Sequence, residues 1–233
     1  MSLFSKISNK FNFYRKIPHS VVEIYREVKN FLPRNPIVLE AGAHMGYDTL
    51  GLSKIWPKGF IHAFEPVPAL YEALRERVKF RKNVRGYNIA LGEKDNVTVT
   101  MNVSGGESSG SSSILKPSKH LEMFPGVSFE EQVSVNMRTI QSWATQEKIS
   151  NIDLMWLDMQ GYEVNALKGT GKMLEKVSVI YTELCADELY QGLITKDAYT
   201  AFLKESGFEL VRQIGKNEIL TDGIFVNKKI LKT

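Results

Sequence analysis

The sequence predicts an α/β fold built on a mostly parallel sheet with helices on both faces. Short apolar runs alternate with helical patterns over residues 37–89, in the order strand, helix, strand, helix, strand. The first run, Ile37–Ala41, leads into a turn with glycines at positions 42 and 46 and then into a helical pattern. This strand–loop–helix unit opens the nucleotide-binding type of α/β fold. A length of 233 residues suits one domain with a well-buried core.

The other regular elements follow from hydrophobic periodicity and turn signals. A helix is predicted over residues 19–32, before the first strand, and Pro33 and Pro36 end it. Further strands are predicted at 60–65, 84–89, 152–157 and 177–182, and helices at 47–56, 66–80, 139–148, 162–174 and 197–206. Two closing strands, 208–214 and 219–226, are predicted to form a hairpin.

Residues 93–137 interrupt this alternation. Apolar and polar residues alternate at 97–103 and again at 133–137, which predicts two paired antiparallel strands. Between them, residues 104–113 are almost all Ser and Gly, a composition typical of a flexible loop. Apolar residues farther along favour a partly ordered lid over 104–131. The prediction is therefore a domain over 35–233 with an inserted lid.

Charge and cysteine content exclude several function classes. Residues 1–34 hold seven Lys or Arg and two acids, so their net charge of 7 − 2 = +5 exceeds the net charge of +4 of the whole chain. The remaining chain is therefore not expected to bind nucleic acid. The basic segment is predicted to be a partly helical extension packed on the domain, with weak membrane-surface contact or a partner-binding arm as alternatives. The single cysteine, Cys185, excludes an internal disulfide and is expected to be buried.

No segment of the sequence has the pattern of an export signal or a membrane span. Charged and polar residues interrupt each apolar run near the N-terminus, and no run is long enough to cross a bilayer. A cytoplasmic, reducing location is the resulting expectation.

The first turn indicates which nucleotide-type cofactor the chain binds. Its pattern, Glu40-x-Gly42-x-x-x-Gly46, lacks the spacing of a dinucleotide fingerprint, and no phosphate-loop motif follows. Glu40 would repel a phosphate but suits a cationic amino-acid tail, as in S-adenosylmethionine. Glu65, at the tip of the second strand, is placed to accept hydrogen bonds from both hydroxyls of a ribose. The alternative is a purely structural turn in an unrelated α/β protein.

Acidic residues are predicted at the carboxyl ends of four strands, where ligands bind in open parallel sheets. They are Glu40, Glu65, Asp158 and Glu183. A single acid in this position often only caps a helix. Four carboxylates that converge repel one another, so cations or hydroxyl groups are needed to stabilise them.

Several short motifs occur in one order along the chain. They are Glu40-Ala-Gly-Ala-His-x-Gly46, Phe64-Glu65-Pro66, Ala90-Leu91-Gly92, Gly110-Ser-Ser-Ser-Ile-Leu115 and Asp158-Met-Gln-Gly-Tyr-Glu163. The set resembles the FkbM family of S-adenosylmethionine-dependent methyltransferases over about residues 35–228. The resemblance implies a class I methyltransferase (Rossmann-like) fold, whose seven-stranded sheet has an antiparallel last strand. It also implies O-methylation of a hydroxyl on a sugar, glycan or secondary metabolite.

The resemblance also implies roles for matching residues. The residues expected to face the methionine part of the cofactor are Glu40, Gly42, Ala43, His44 and Gly46. Those expected around the nucleoside are Glu65 with Pro66 at the ribose and Asn88, Ile89 and Ala90 at the adenine. Ser112 and Ser113 match a serine element that contacts cofactor or substrate. Gln160, where many members have Glu, and Glu183 are expected to contact the acceptor, a small molecule or carbohydrate.

Methyl transfer to an alcohol requires in-line positioning of the two reactants and benefits from a base near the hydroxyl proton. Asp158 is the first candidate for this base, and Glu163 and His44 are the second choices. Asp158 could instead hold the cofactor's ammonium, or bind a divalent metal together with Glu183, although no ligand spacing indicates a metal. The alternative role for His44 is to cap the backbone of its loop. Two rival functions are methylation of an amine or other small molecule and a non-catalytic binding module.

Overall fold

The computed structural model describes residues 17–215 and 218–231, and ten strands lie within these ranges. They are β1 (Ile37–Ala41), β2 (Phe60–Phe64), β3 (Val84–Tyr87), β4 (Ala90–Leu91), β5 (Val97–Gly106), β6 (Val127–Arg138), β7 (Ile152–Leu157), β8 (Val177–Cys185), β9 (Phe208–Gly215) and β10 (Leu220–Asn227). Seven of them form the main sheet in the order β3-β2-β1-β7-β8-β10-β9. Strand β10 is antiparallel to both neighbours, while the other pairs are parallel. The predicted fold class, including the antiparallel last strand, is confirmed.

Helices cover both faces of this sheet. They are α1 (His19–Val28), α2 (Tyr47–Ile55), α3 (Pro68–Val78), α4 (His120–Met123), α5 (Ile140–Glu147), α6 (Glu163–Lys168), α7 (Lys196–Glu205) and α8 (Lys228–Leu231). Successive strand residues point to opposite faces. Val38 therefore packs with side chains of α1, α2 and α3, whereas Leu39 packs with those of α5, α6 and α7.

The inserted segment forms a second sheet in the order β4-β6-β5. The predicted antiparallel pair is present as β5 and β6, and both strands extend farther into the predicted lid than expected. Strand β4 adds a parallel edge that the sequence did not predict. A buried apolar cluster joins this small sheet to α3, through side chains such as Met101, Val135 and Leu70. The insertion is therefore packed against the domain next to the end of β2.

Several other predicted boundaries are wrong, and the strand predicted at 177–182 runs on to Cys185. The predicted helix at 162–174 ends at Lys168, because Gly171 has a left-handed φ of 54° and the chain continues as a 3-10 helix, Gly171–Lys176. The predicted helix at 19–32 ends at Val28, before its prolines. The predicted strand at 84–89 ends at Tyr87, after which β4 joins the second sheet.

The basic N-terminal segment lies mostly outside the described residues. Of the predicted extension, α1 is described, and its buried side chains Val21, Ile24 and Val28 pack into the core beside β1. Residues 1–16 of this segment, for which weak membrane-surface contact is one alternative, fall outside the described ranges. Within the described ranges, no helix combines the length and the apolar character that a membrane span requires.

Candidate active site

The turn after β1 is shaped by the neighbouring strand and helix. Gly42 has a φ of 84°, and a Cβ added there would overlap the carbonyl oxygen of Asp158. Gly46 has a φ of 77°, and a Cβ there would overlap the side chain of Leu74 on α3. A left-handed φ favours glycine, and the absence of space requires it. The glycines were expected to make room for a ligand, but the contacts that require them come from the protein itself.

Glu65 organises the turn from the tip of β2. Its Oε2 accepts a hydrogen bond from the backbone N–H of His44 at 2.8 Å, and its Oε1 accepts one from Val67 at 2.8 Å. Burial raises the pKa of Glu65 to about 7, although these two donors oppose the rise. Each carboxylate oxygen has two acceptor sites, so Glu65 retains acceptor capacity for a diol.

Glu40 is buried at the end of β1, with 2% of its surface exposed. Its Oε2 has no hydrogen-bond partner within the described part of the protein. Burial raises the pKa of Glu40 well above its usual range, and the charges of Asp48, Asp158 and Glu65 add to this effect. A buried carboxylate without a partner is costly, so a cationic group in the adjoining space would stabilise it.

A cleft runs along the carboxyl ends of β1, β2 and β7, and we call it the strand-end cleft. One end, with a volume of about 200 Å³, is lined by Glu40, Gly42, Ala43, His44, Tyr47, Asp48, Gly110, Trp156 and Asp158. The other end is lined by Glu65, Pro66 and mainly apolar residues, which include Phe64, Leu70, Ile89, Ala90, Leu91, Met101 and Ile114. The two ends share Gly42, His44, Gly110 and Asp158. The cleft therefore has an acidic end and a mainly apolar end that contains Glu65, and the Asp158 carboxylate lies where the two ends meet.

Most of the predicted cofactor residues line this cleft. Those that do are Glu40, Gly42, Ala43, His44, Glu65, Pro66, Ile89, Ala90, Ser112 and Asp158. Gly46, Asn88 and Ser113 are not among its lining residues. Asn88 instead donates hydrogen bonds to the carbonyl oxygens of Glu65 and Pro66, each at 2.9 Å. The Ser113 hydroxyl donates to the carbonyl oxygen of Gln160 at 2.8 Å.

Asp158 and Gln160 form a side-chain pair at the exposed end of β7. The Gln160 amide nitrogen Nε2 donates to Asp158 Oδ1 at 2.7 Å. Gln160 has a left-handed φ of 52°, and its Oε1 lies 3.2 Å from the hydroxyl of Tyr190. The nitrogen and the oxygen of this amide each have a partner, so the amide is held in place and orients the Asp158 carboxylate. A glutamate at this position would place two carboxylates together.

The other two candidates for the base hold loops in place. Glu163 is buried, and its Oε1 accepts hydrogen bonds from Met159 N at 2.7 Å and Gly161 N at 3.3 Å. Burial raises the pKa of Glu163 to about 8, and the charges of Glu183 and Asp158 add to the rise. His44 Nε2 lies 2.9 Å from Ser109 Oγ in the insertion, and burial lowers the pKa of His44. Of the three, Asp158 is the residue that is exposed at the cleft.

A second cavity of about 330 Å³ lies on the other side of Gln160, and we call it the side cavity. Its walls include Glu163 and Glu183, together with residues that sequence reasoning missed, namely His120, Phe124, Leu189, Tyr190 and Leu193. These residues come from the insertion and from the segment after β8. No spacing in the sequence joins two such distant segments, so no local signal marks this cavity.

A metal site is not formed by the acidic strand ends. Among the described residues, no group of three or more His, Cys, Asp or Glu side chains is arranged to hold a metal ion. Asp158 faces the strand-end cleft, whereas Glu183 lines the side cavity.

Known proteins resemble this chain in sequence and in fold. The family model described as "Methyltransferase FkbM domain" matches residues 40–210. The 2-O-methyltransferase NoeI of Sinorhizobium fredii is 30% identical over 202 residues, which cover 84% of this chain and 82% of that protein.

Two solved structures share the fold at low sequence identity. Methyltransferase FkbM from Methylobacillus flagellatus KT superposes with a TM-score of 0.52 at 13% identity, over 82% of this chain and 44% of that one. Magnesium protoporphyrin IX methyltransferase (ChlM) from Synechocystis PCC 6803, solved with bound SAM, superposes with a TM-score of 0.51 at 10% identity, over 97% of this chain and 85% of that one. Both therefore support the fold assignment only.

Proposed function

The chain belongs to the FkbM family of methyltransferases, and we propose that it transfers the methyl group of S-adenosylmethionine to a hydroxyl of a sugar, glycan or similar small molecule. The observation that carries this proposal is the strand-end cleft, whose buried acids match the polar groups of that cofactor. When bound, S-adenosylmethionine would supply an electrophilic methyl group on a sulfonium. All other steps depend on residues of this chain.

The acidic and apolar ends of the cleft fit the two ends of the cofactor. The cofactor carries an α-ammonium, which would give the orphaned Oε2 of Glu40 a charged partner. Glu65, on the wall of the mainly apolar end, would accept hydrogen bonds from the ribose hydroxyls. The apolar end, formed by residues such as Ile89 and Leu91, would receive the adenine ring.

Asp158 is the proposed base for the acceptor hydroxyl. Its side chain is exposed at the cleft, and the Gln160 amide fixes one of its oxygens. A carboxylate held in this way can accept the hydroxyl proton as the oxygen becomes nucleophilic, an effect of about 10²–10⁴-fold in many enzymes. Gln160 remains neutral, so it orients Asp158 without adding negative charge to the cleft.

Two observations favour hydroxyl acceptors over amines, namely the activity for which a relative is named and the presence of Asp158 as a base. NoeI, at 30% identity, is described as a 2-O-methyltransferase. A neutral amine is already a good nucleophile, whereas an alcohol becomes one when a base takes its proton. Asp158 lies where the two ends of the cleft meet.

Calorimetric titration of S-adenosylhomocysteine tests the cofactor part of the proposal. We expect wild-type protein to bind with a Kd of roughly micromolar size and Glu65→Gln to weaken binding by about tenfold, because one acceptor oxygen is lost. Glu209→Gln, at an exposed position on β9, is the matched control and should bind like wild type. Absence of binding to wild type would overturn the proposal.

A methyl-transfer assay tests the choice of acceptor. Methyl-labelled S-adenosylmethionine is incubated with a panel of methyl glycosides, other alcohols and amines, and labelled products are identified by mass spectrometry. We expect label on hydroxyl oxygens. Transfer to amines alone would refute O-methylation and support the rival function.

A further inference from the structure

The side cavity meets the strand-end cleft at two residues. Gly110 lines both spaces, and Gln160 separates them as part of both walls. Gln160 also contacts Asp158, the proposed base. A molecule seated in the side cavity would therefore reach toward Asp158 by passing Gln160. This position suits a methyl acceptor better than a second cofactor.

The charged residues of the side cavity are all acidic. Glu163 and Glu183 are on its wall, and no Lys or Arg is found among the described residues that line it. An anionic group inside would meet Glu183 and would find no Lys or Arg among the described lining residues to compensate its charge. The raised pKa of Glu163 shows that this wall already disfavours negative charge. The cavity is thus unsuited to phosphate or carboxylate groups.

His120 supplies a polar group that the protein does not use. Its side chain is 3% exposed, and its Nδ1 has no hydrogen-bond partner within the described chain. Rings of Phe124, Phe129 and Tyr190 surround it at centroid distances of 4.9, 5.4 and 5.3 Å. A buried polar atom without a partner is uncommon in a native structure and requires an explanation. A ligand hydroxyl would satisfy this imidazole.

The remaining wall is apolar and partly aromatic. Phe124, Leu189, Leu193 and Ile194 contribute carbon surface next to the polar groups. A wholly apolar ligand would leave the Nδ1 of the buried His120 imidazole unpaired, and an unpaired buried polar atom destabilises the complex. A ring with hydroxyls on its edge and C–H groups on its faces satisfies both kinds of wall.

We propose that the side cavity is the acceptor site, that it takes a polyhydroxyl ring without phosphate or carboxylate groups, and that His120 determines specificity by hydrogen bonding to one of the ring hydroxyls. This inference rests on the proposed function, since it names the class of molecule that the methyl group reaches. It assigns to the cavity a hydroxyl-rich ligand such as an unmodified pyranose. The volume of about 330 Å³ is within the range of small-molecule sites.

The insertion forms one side of this site through backbone contacts. The N–H groups of Ser118 and His120 donate to the carbonyl oxygen of Leu189, at 2.9 and 3.1 Å, and Gln191 N donates to Lys116 O at 2.8 Å. These bonds fix His120 and Leu189 as adjacent parts of one wall. The imidazole is therefore positioned before a ligand arrives, which reduces the cost of binding.

The proposal is tested by ligand-observed NMR with matched glycosides. The probes are methyl glycosides of glucose, galactose, mannose and fucose, together with the uronic-acid and 6-phosphate counterparts of the first three. Each is titrated into the full chain, both alone and saturated with S-adenosylhomocysteine. We expect at least one neutral glycoside to bind saturably and its charged counterparts to bind at least about tenfold more weakly.

Two variants assign the effect to the named residues. His120→Phe keeps an aromatic ring among its neighbours and removes the nitrogens, so we expect about tenfold weaker binding of the neutral glycoside with an unchanged Kd for S-adenosylhomocysteine. Glu183→Gln keeps the shape of its side chain and removes a charge, so the discrimination against the anionic counterparts should decrease. Thermal unfolding checks that both variants fold.

Three outcomes would overturn the inference. They are equal or tighter binding of the anionic counterparts, absence of binding by all neutral glycosides, and binding by His120→Phe and Glu183→Gln that matches wild type for both the neutral and the anionic probes. Failure of the proposed function gives a different result, because S-adenosylhomocysteine then does not bind. In that case the titration without S-adenosylhomocysteine still decides whether the side cavity binds a neutral ring.

Discussion

Replacing the buried carboxyl Glu163 by glutamine should change how protein stability depends on pH. The side chain is 4% exposed, and its Oε1 accepts hydrogen bonds from the N–H groups of Met159 and Gly161. The oxygen of a glutamine can accept the same two bonds. Glu163→Gln therefore removes the ionisable group while it retains the contacts that hold the turn.

The pKa of Glu163 sets the size of the effect. Burial raises this pKa from 4.5 to about 8, so the folded protein holds the proton more tightly than the unfolded chain does. The stability that this provides is present below the unfolded value and is lost as pH rises through the folded value. With about 1.4 kcal/mol for each unit, wild type should lose about 4 kcal/mol more than Glu163→Gln between pH 5 and pH 9.

Urea unfolding followed by tryptophan fluorescence at pH 5 and pH 9 measures this difference. Glu40 and Glu65 also have raised pKa values, but they are present in both proteins and largely cancel in the comparison. Glu130→Gln, at an exposed position, is the control and should follow wild type. If the two free energies of unfolding stay parallel across this pH range, Glu163 is not a neutral buried acid and the reasoning is wrong.

Three further predictions concern the strand-end cleft. Gly42→Ala should abolish binding of S-adenosylhomocysteine and destabilise the fold by about 3 kcal/mol or more, because the added Cβ overlaps the carbonyl oxygen of Asp158. Calorimetry and urea unfolding measure the two effects, and near-wild-type binding would refute this prediction. Asp158→Asn should lower kcat by about 10²–10⁴-fold and leave the Kd of S-adenosylhomocysteine within about threefold, and a retained kcat would exclude Asp158 as the base. Since ribose hydroxyls donate to an ionised carboxylate and the pKa of Glu65 is about 7, binding should strengthen as pH rises from about 6 to 8 in wild type and to a smaller extent in Glu65→Gln; identical pH profiles would contradict this role.

The main sheet was predictable because its signals are local. Each strand is a short apolar run, and each acid after such a run lies at the carboxyl end of the sheet. This places Glu40, Glu65 and Asp158 around one cleft, whereas Glu183, which was predicted to converge with them, lines the side cavity. The end of α6 was missed, because a helical pattern does not reveal that Gly171 adopts a left-handed φ.

The side cavity could not be predicted because it depends on long-range pairing. His120 belongs to the insertion, whereas Leu189 and Tyr190 follow β8. What joins them is a set of backbone hydrogen bonds, and backbone groups carry no sequence code. Gly42 shows the same limit at a predicted residue. Its position in the turn was predicted, but the strand that requires it to be glycine became visible only in the fold.

Buried acids around the two spaces place a cost on the folded protein that a ligand can reverse. Glu40, Glu65 and Glu163 all have pKa values raised mainly by burial, so packing alone would favour neutral residues at these positions. Folding explains part of the set, since Glu65 and Glu163 hold backbone N–H groups. Glu40 has no such role, because its Oε2 lacks a partner in the described chain. A buried carboxyl that costs stability and leaves one oxygen without a partner is typical of a functional position, and Glu40 is therefore the acid whose presence most directly requires a cationic ligand.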